Sequence, residues 1–340
     1  MKTKVYFTVD TESSMGGAWN HPHRHPVPSP RHVFCQVGQR NYGIPLIVES
    51  MAHYGFQATY FVETLATQVL GDTDTAAIFD YLLKSKQDVQ LHIHPNYRFY
   101  ADFRRARAQG RPFQIPEARD NLARFPEEIQ MELLLEARDF FRRFAGVDPT
   151  VFRAGNYSAS RTTLRCLAAL GLRIDSSFNP CYPDVSFAGA DLQLNRVQKI
   201  EGVWEIPITV ARTRLPENKV GLKYADCTAL AATELHGMLE AAAAGGLEHF
   251  VLVFHGCRAV KAKDATYEEI RPNRIVISRL EKLFAYLAKR SDLFEVATLG
   301  QAAASPTLLE AAHHAVVPEL GFVRAGVRKV VQLVNNSYWV

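Results

Sequence analysis

Along the chain, short runs of β-branched and aromatic residues alternate with longer stretches whose apolar positions recur every three or four residues. The short runs predict strands at 4–9 (KVYFTV), 57–62 (QATYFV), 88–93 (DVQLHI), 150–153 (TVFR), 171–175 (GLRID), 203–209 (VWEIPIT), 249–254 (HFVLVF) and 294–297 (FEVA). The longer stretches predict helices at 42–54, 74–86, 126–145, 160–169, 228–244 and 273–291. Strands and helices that take turns imply repeated βα units around a parallel sheet, hence the α/β class, and their number suits a barrel better than an open sheet. No segment repeats at a period of about 20 to 50 residues, which excludes a solenoid.

Three segments stand outside this rhythm. Residues 13–41 hold His21, His23 and His25 among four prolines and form a long loop of a length that suits a lid over a site. Residues 96–125 carry Arg98, Arg104, Arg105, Arg107, Arg111 and Arg119 beside Tyr97, Phe99, Tyr100 and Phe103. The tail from 301 reads as two helices and an apolar finish, Val330–Val334. The expected organisation is a barrel over 1–300 with a C-terminal helical extension over 301–340.

Composition narrows the class. With 47% hydrophobic residues spread along the chain, intrinsic disorder is excluded. A net charge of +4 over 340 residues is too mild to argue for a nucleic-acid partner. No apolar run reaches the roughly 18 residues of a transmembrane helix, and the first ten residues lack the apolar segment of an export signal, so the expected location is the cytoplasm. Five scattered cysteines without a Cys-x-x-Cys pair fit reduced, partly buried thiols.

Candidate chemistry gathers at the predicted strand ends, the edge at which parallel barrels carry their sites. The first strand runs into Asp10-Thr11-Glu12, which puts two carboxylates on one side of extended backbone. One could bind a metal while the other takes a proton from water; either could instead cap the following turn. The third strand ends in His92-Ile93-His94, again two side chains on one face, and two imidazoles with a carboxylate are an ordinary divalent-metal set. The His21–His25 run lacks strand context and reads as a solvated loop or an adventitious metal site. After the fourth strand come Arg153, which could clamp a carboxylate or substrate oxygen, then Gly155, Asn156 and Tyr157. His255 closes a fully apolar strand and is either a proton donor to a leaving amine or a core histidine bonded to backbone. Asp175 is a candidate partner for Arg153 or His255, and Trp204 a candidate substrate contact. The guanidinium forks of Arg104 and Arg105 would suit phosphates of a nucleotide-sugar or lipid diphosphate; the alternative is a solvated helix face.

In order, Thr8-Val9-Asp10-Thr11-Glu12, Ala58-Thr59-Tyr60-Phe61-Val62-Glu63, Leu91-His92-Ile93-His94-Pro95, Phe152-Arg153-Ala154-Gly155, Ile174-Asp175-Ser176-Ser177 and Leu252-Val253-Phe254-His255 resemble the motif series of the polysaccharide deacetylase family, the NodB-homology or carbohydrate esterase 4 group. The resemblance spans about residues 1–300. It implies a distorted (β/α)7 barrel that removes an N-acetyl or related acyl group from a sugar with a divalent metal, usually Zn2+, with Co2+, Ni2+ or Mn2+ as other candidates. By the same resemblance Asp10 is the base, Glu12, His92 and His94 hold the metal, Arg153 holds the base, Tyr157 or its neighbours donate to the oxyanion, and His255 is the acid. Two departures stand out: the usual second metal histidine would fall at position 96, here Asn96, and the second acid is a Glu displaced to Glu12, which could exchange the roles of Asp10 and Glu12.

The implied partner is an N-acetylated sugar, with a nucleotide-sugar or lipid-linked glycan of surface polysaccharide or O-antigen assembly favoured by the cytoplasmic expectation. Three alternatives remain open at this level: another metal-dependent C–N hydrolase, a catalytically inactive carbohydrate-binding barrel, and an assembly partner touching the membrane surface or a second copy of itself through the tail.

Overall fold

The computed structural model describes residues 2–21, 23–214, 220–305, 307–310 and 315–320. Its centre is a curled, largely parallel sheet built from β1 (Thr3–Thr11), β2 (Thr59–Glu63), β3 (Asp88–Ile93), β4 (Val151–Ala154), β5 (Ile174–Asp175), β6 (Val203–Glu205), β7 (His249–His255) and β8 (Phe294–Ala297). The order across the sheet is β7-β1-β2-β3-β4-β5-β6, closed at the far end by an antiparallel strand, Gln198–Ile200. Helices α1 (Ile44–Ala52), α2 (Asp72–Lys84), α3 (Pro95–Ala108), α4 (Glu127–Ala145), α5 (Arg161–Ala169), α6 (Ala232–Ala244) and α7 (Arg274–Lys289) lie between the strands. This is the distorted seven-stranded barrel expected from the sequence.

The distortion has two sources. First, β8 pairs with the N-terminal half of β1 (Thr3↔Phe294 to Tyr6↔Ala297), while β2 pairs with the C-terminal half of the same edge (Thr8↔Thr59 to Thr11↔Val62). β8 is thus a wedge at the base of the barrel. Second, β6 does not pair with β7; the chain beyond it, shortened as a strand where Pro207 lacks a donor, bridges the gap irregularly. Thr209 accepts the Val251 N–H through Oγ1 at 2.8 Å, and Val253 N donates to Ala225 O at 2.9 Å.

The two-residue period of the strands sorts the core. Val5, Phe7 and Val9 of β1, Tyr60 and Val62 of β2, and Leu91 and Ile93 of β3 pack outward in one cluster under the helices. Tyr6, Phe61, Val151, Val251 and Val253 pack in a second cluster inside the barrel. Every second residue therefore faces inward, and at the carboxyl ends that face delivers Asp10, Glu63, His92, Arg153 and His255. The predicted strands at 88–93 and 294–297 match those observed, whereas 171–175 contracts to β5 because Gly171, at φ 80°, is still ending α5.

Residues 96–125, expected to stand apart, open with α3: Pro95 takes the first helical position, where its missing N–H costs nothing. In the tail, Leu299–Ala304 and Thr307–Glu310 are helical and Glu319–Leu320 pairs with Arg212–Thr213, while Val330–Val334 lies outside the described residues. Among the described residues no helix is long and apolar enough to cross a membrane.

Candidate functional site

The inward residues meet above the barrel around Arg153, whose side chain is fully buried. A buried guanidinium is tolerable only when its donors are satisfied. Nη1 donates to Asp10 Oδ1 and to Thr8 Oγ1, both at 2.8 Å, Nε to Ser176 O at 2.8 Å, and Nη2 to Ser176 Oγ at 3.1 Å. The guanidinium also lies 4.3 Å over the Phe61 ring centroid. Burial alone would push the Asp10 carboxyl up, but Arg153, His255 and His92 outweigh it and hold the group below its ordinary value, as a carboxylate. Its other oxygen, Oδ2, stands 3.7 Å from His255 Nε2.

Beside Asp10, Glu12, His92 and His94 each bring one ligand atom to within 4.8 Å of the others. His92 Nδ1 donates to Arg153 O at 2.7 Å, since a carbonyl only accepts, and this turns Nε2 toward Glu12 Oε2, 3.3 Å away. His94 Nδ1 donates to the Asp120 carboxylate at 3.0 Å, and its Nε2 meets the same Glu12 oxygen. Burial opposes charge on His94, but Asp120 and Glu12 together raise its pKa well above the usual value. Two imidazoles anchored through Nδ1, with Nε2 converging on a carboxylate, are the donor set of a divalent transition metal, and the residues present fit one.

The position of His94 is prescribed from three sides. Its backbone N–H donates to Glu63, a carboxyl that burial pushes up to about 8. Asp120, which orients the ring, is in turn held by Asn156 Nδ2 at 2.9 Å. The ring face rests on Gly155, where an added Cβ would stand 2.6 Å from ring atoms. Asn156 and Tyr157 follow in the left-handed region at φ 53° and 58°, a conformation that bends the chain around the site. The Asn expected from the resemblance to be a histidine, Asn96, is on the first turn of α3 and accepts a hydrogen bond from Trp19 Nε1.

Asp10, Glu12, His92, His94, Asn156 and His255 line one cavity of about 520 Å3, together with Tyr157, Tyr182, Tyr224, Asp226 and Arg258. The structure thus brings Asp10, Glu12, His92, His94, Asn156, Tyr157 and His255 together, with Arg153 directly beneath. It does not bring Trp204, Arg104 or Arg105 there. Trp204 carries Lys199 over its ring at 5.3 Å in a separate surface pocket. Arg104 lines another pocket with Trp19 and Tyr100, and Arg105 is exposed and paired with Asp102 at 3.3 Å. Nor do His21, His23 and His25 form a metal cluster among the described residues. Asp120, Tyr182, Tyr224, Asp226 and Arg258 escaped the sequence reading; only Arg258, three residues past His255, stood close enough to a motif to be noticed.

Asp175 belongs to the layer below the cavity. Its Oδ1 accepts from Ser177 Oγ at 2.6 Å, and Ser177 Oγ in turn accepts from Ala154 N at 2.9 Å, so it braces β4 rather than touching Arg153 or His255. Its Oδ2 and Glu205 Oε2 are buried with no other partner, and one proton shared between the two carboxyls satisfies both. Burial pushes Asp175 up to about 6, and burial with the Asp175 charge pushes Glu205 up further.

No protein-family profile matches the sequence, and no curated protein matches it either. Solved structures do share its fold. A protein of Mycobacterium smegmatis described as a polysaccharide deacetylase superposes with a TM-score of 0.54 at 16% identity, covering 94% of this chain and 96% of its own. The Puue allantoinase superposes at 0.52 with 14% identity, covering 89% of each chain. The 4-alpha-glucanotransferase of Thermococcus litoralis gives 0.51 at 11% identity, covering 89% of this chain and 40% of that one. The barrel is therefore one that carries several chemistries, and the site decides among them.

Two outcomes are expected. Gly155→Ala will displace the His94 ring and weaken Zn2+ binding by roughly 10- to 100-fold, measured by competition with a chromophoric chelator. For the lower layer, a carboxyl whose folded pKa exceeds its unfolded value favours folding at acid pH, and stability falls as pH rises from about 4 through about 6. Glu205, raised further still, loses stability in the same direction as pH rises, and Glu205→Gln removes its share: in urea unfolding, the variant's stability relative to the native chain will be greater at pH 8 than at pH 5.

Proposed function

We propose that this chain is a metal-dependent hydrolase that removes an N-acetyl or related acyl group from a sugar. The observation that carries the reading is the arrangement of an ionised, arginine-held Asp10 and a solvent-reachable His255, 3.7 Å from each other, beside the Glu12–His92–His94 cluster, all lining one cavity. Base, acid and metal donors in one small space are what hydrolysis of an unactivated amide requires.

Glu12, His92 and His94 would hold the ion, with Zn2+ the best match to one carboxylate and two imidazoles and Co2+, Ni2+ or Mn2+ as substitutes. When bound, it supplies Lewis acidity for water and the acyl oxygen. The protein groups do the proton work. Asp10, kept ionised by Arg153, accepts a proton from the attacking water through Oδ2, the oxygen that Arg153 leaves free. His255 is 31% exposed on its side chain, so a protonated ring can follow the substrate nitrogen and deliver its proton as the C–N bond breaks. The left-handed turn at Asn156 and Tyr157 turns backbone toward the cavity, where an N–H near Tyr157 serves the oxyanion. The three tyrosines, whose rings are tilted against one another, supply an aromatic wall for a sugar ring.

The assignment of Asp10 as base and Glu12 as ligand is supported by the geometry: of the two acids, Glu12 reaches both histidines and Asp10 bonds to Arg153. The placement in cytoplasmic surface-polysaccharide or O-antigen assembly belongs to this proposal and rests on the sequence. A second reading, cleavage of another C–N bond in a small molecule, is favoured by the barrel shared with an allantoinase.

The purified chain is expected to hold about one zinc or similar ion, which is lost in His92→Ala and His94→Ala, by elemental analysis. With N-acetylated amino sugars it will release acetate, and Asp10→Asn and His255→Ala will stay folded but lose about 100-fold or more in kcat. Metal binding with ring opening of cyclic amides and no acetate would establish the second reading; sugar binding without metal would leave a binding protein.

A further inference from the structure

One cation in the cavity has no part in this chemistry. Arg258 lies on the 3-10 turn Gly256–Ala259 that directly follows His255. The turn is pinned by Asn273, whose backbone N–H donates to Ala259 O at 2.8 Å and whose Nδ2 donates to Arg258 O at 3.4 Å. The side chain is exposed and lines the cavity, yet no described carboxylate stands within ion-pairing distance of it. The acids nearby are committed elsewhere. Asp226 accepts from Thr228 N at 2.6 Å and from Tyr224 Oη at 3.2 Å, while Glu12 meets the two histidines and Asp10 meets Arg153.

Three tyrosines line the same cavity. The ring centroids of Tyr157, Tyr182 and Tyr224 are 5.3, 5.9 and 6.1 Å apart pairwise, and the Tyr182 and Tyr224 hydroxyls are 3.4 Å from each other. The Tyr157 hydroxyl is buried without a partner among the described residues. A ring seated beside these tyrosines with its acyl group at Glu12 and His255 would share the cavity of about 520 Å3 with the Arg258 side chain that lines it. An uncharged occupant would strip water from the guanidinium and return nothing, a desolvation cost without compensation. A carboxylate or phosphate would engage the planar fork in two parallel hydrogen bonds.

We propose that Arg258 is the specificity residue of this cavity and that the acylated sugar it accepts bears an anionic substituent, a carboxylate or a phosphate, seated on the Arg258 guanidinium. The proposal rests on the N-acyl sugar reading and moves the anion contact from Arg104 and Arg105, which lie outside the cavity, to a residue inside it.

The test measures binding to the zinc-loaded Asp10→Asn chain, so that turnover does not intervene. Its ligands are N-acetylglucosamine, its 1-phosphate, its 6-phosphate and the corresponding N-acetylated uronic acid, titrated calorimetrically. At least one anionic sugar is expected to bind 10-fold or more tightly than N-acetylglucosamine. Arg258→Gln will reduce that preference to within about threefold, Arg258→Lys will restore part of it, and Arg105→Gln will leave it in place. Preference for a phosphate or for the uronic acid identifies which anion the site takes. Equal affinity for charged and uncharged sugars, or a preference that survives Arg258→Gln, overturns the proposal and leaves the deacylase reading intact. If none of the four sugars binds a chain that holds its metal, the N-acyl sugar reading fails and this proposal with it.

Discussion

The buried pair between Arg153 and Asp10 is the interaction on which the upper half of the barrel depends. Arg153 reaches the centre of the barrel from β4 and takes Asp10 and Thr8 from β1 and Ser176 from the turn after β5. Its carbonyl, meanwhile, receives the Nδ1–H of His92 from β3. One residue therefore fixes the oxygen of Asp10 that is occupied and the nitrogen of His92 that is not. Removing either partner of such a pair leaves an uncompensated charge in the core, a cost of about 3 to 5 kcal/mol, so the electrostatics that set up the chemistry also hold the strands in register.

The Glu12–His92–His94 cluster shows how a metal-donor set can be built from the ends of two strands, β1 and β3. Consecutive inward positions of β3 put both imidazoles on one face, but His94 is where α3 begins, and a residue at a strand-to-helix junction is not held by a ladder. The structure compensates locally: Glu63 takes its N–H, Asp120 takes its ring N–H, and Gly155 leaves space for the ring. Those three contacts come from β2, from the loop before α4 and from the end of β4. Asn96, one turn into α3, is left to anchor Trp19 of the 13–41 loop instead.

What the sequence revealed and what it concealed divide along the same line. Asp10, Glu12, His92, Arg153 and His255 were legible because a two-residue period at the end of an apolar strand determines both the face and the edge on which a side chain emerges. Arg104, Arg105 and Trp204 were misplaced because residue type indicates what a side chain could bind and not where a helix or edge strand will carry it. Asp120, Tyr182, Tyr224 and Asp226 were silent for a related reason: they lie on connections whose course is set by packing against the barrel. Asp175 was legible as a motif residue, but its role as one half of a carboxyl pair required Glu205, which sits on the neighbouring strand with nothing in its own segment to mark it.

The wedge formed by β8 bears on how such a protein comes into being. β1 pairs along its length with β7, across more than 240 positions, and at its base with β8, with Thr3 opposite Phe294. β1 thus acquires its neighbours on these edges only once β7 and β8 have been synthesised, and loop closures of that span are slow steps in assembly. Until then the inward face of β1, with Asp10 and Glu12 at its tip, has no barrel to face into. The order of synthesis withholds the assembled cavity until residues near 297 exist, so a product that stops before them carries the side chains of the site without the pocket that brings them together.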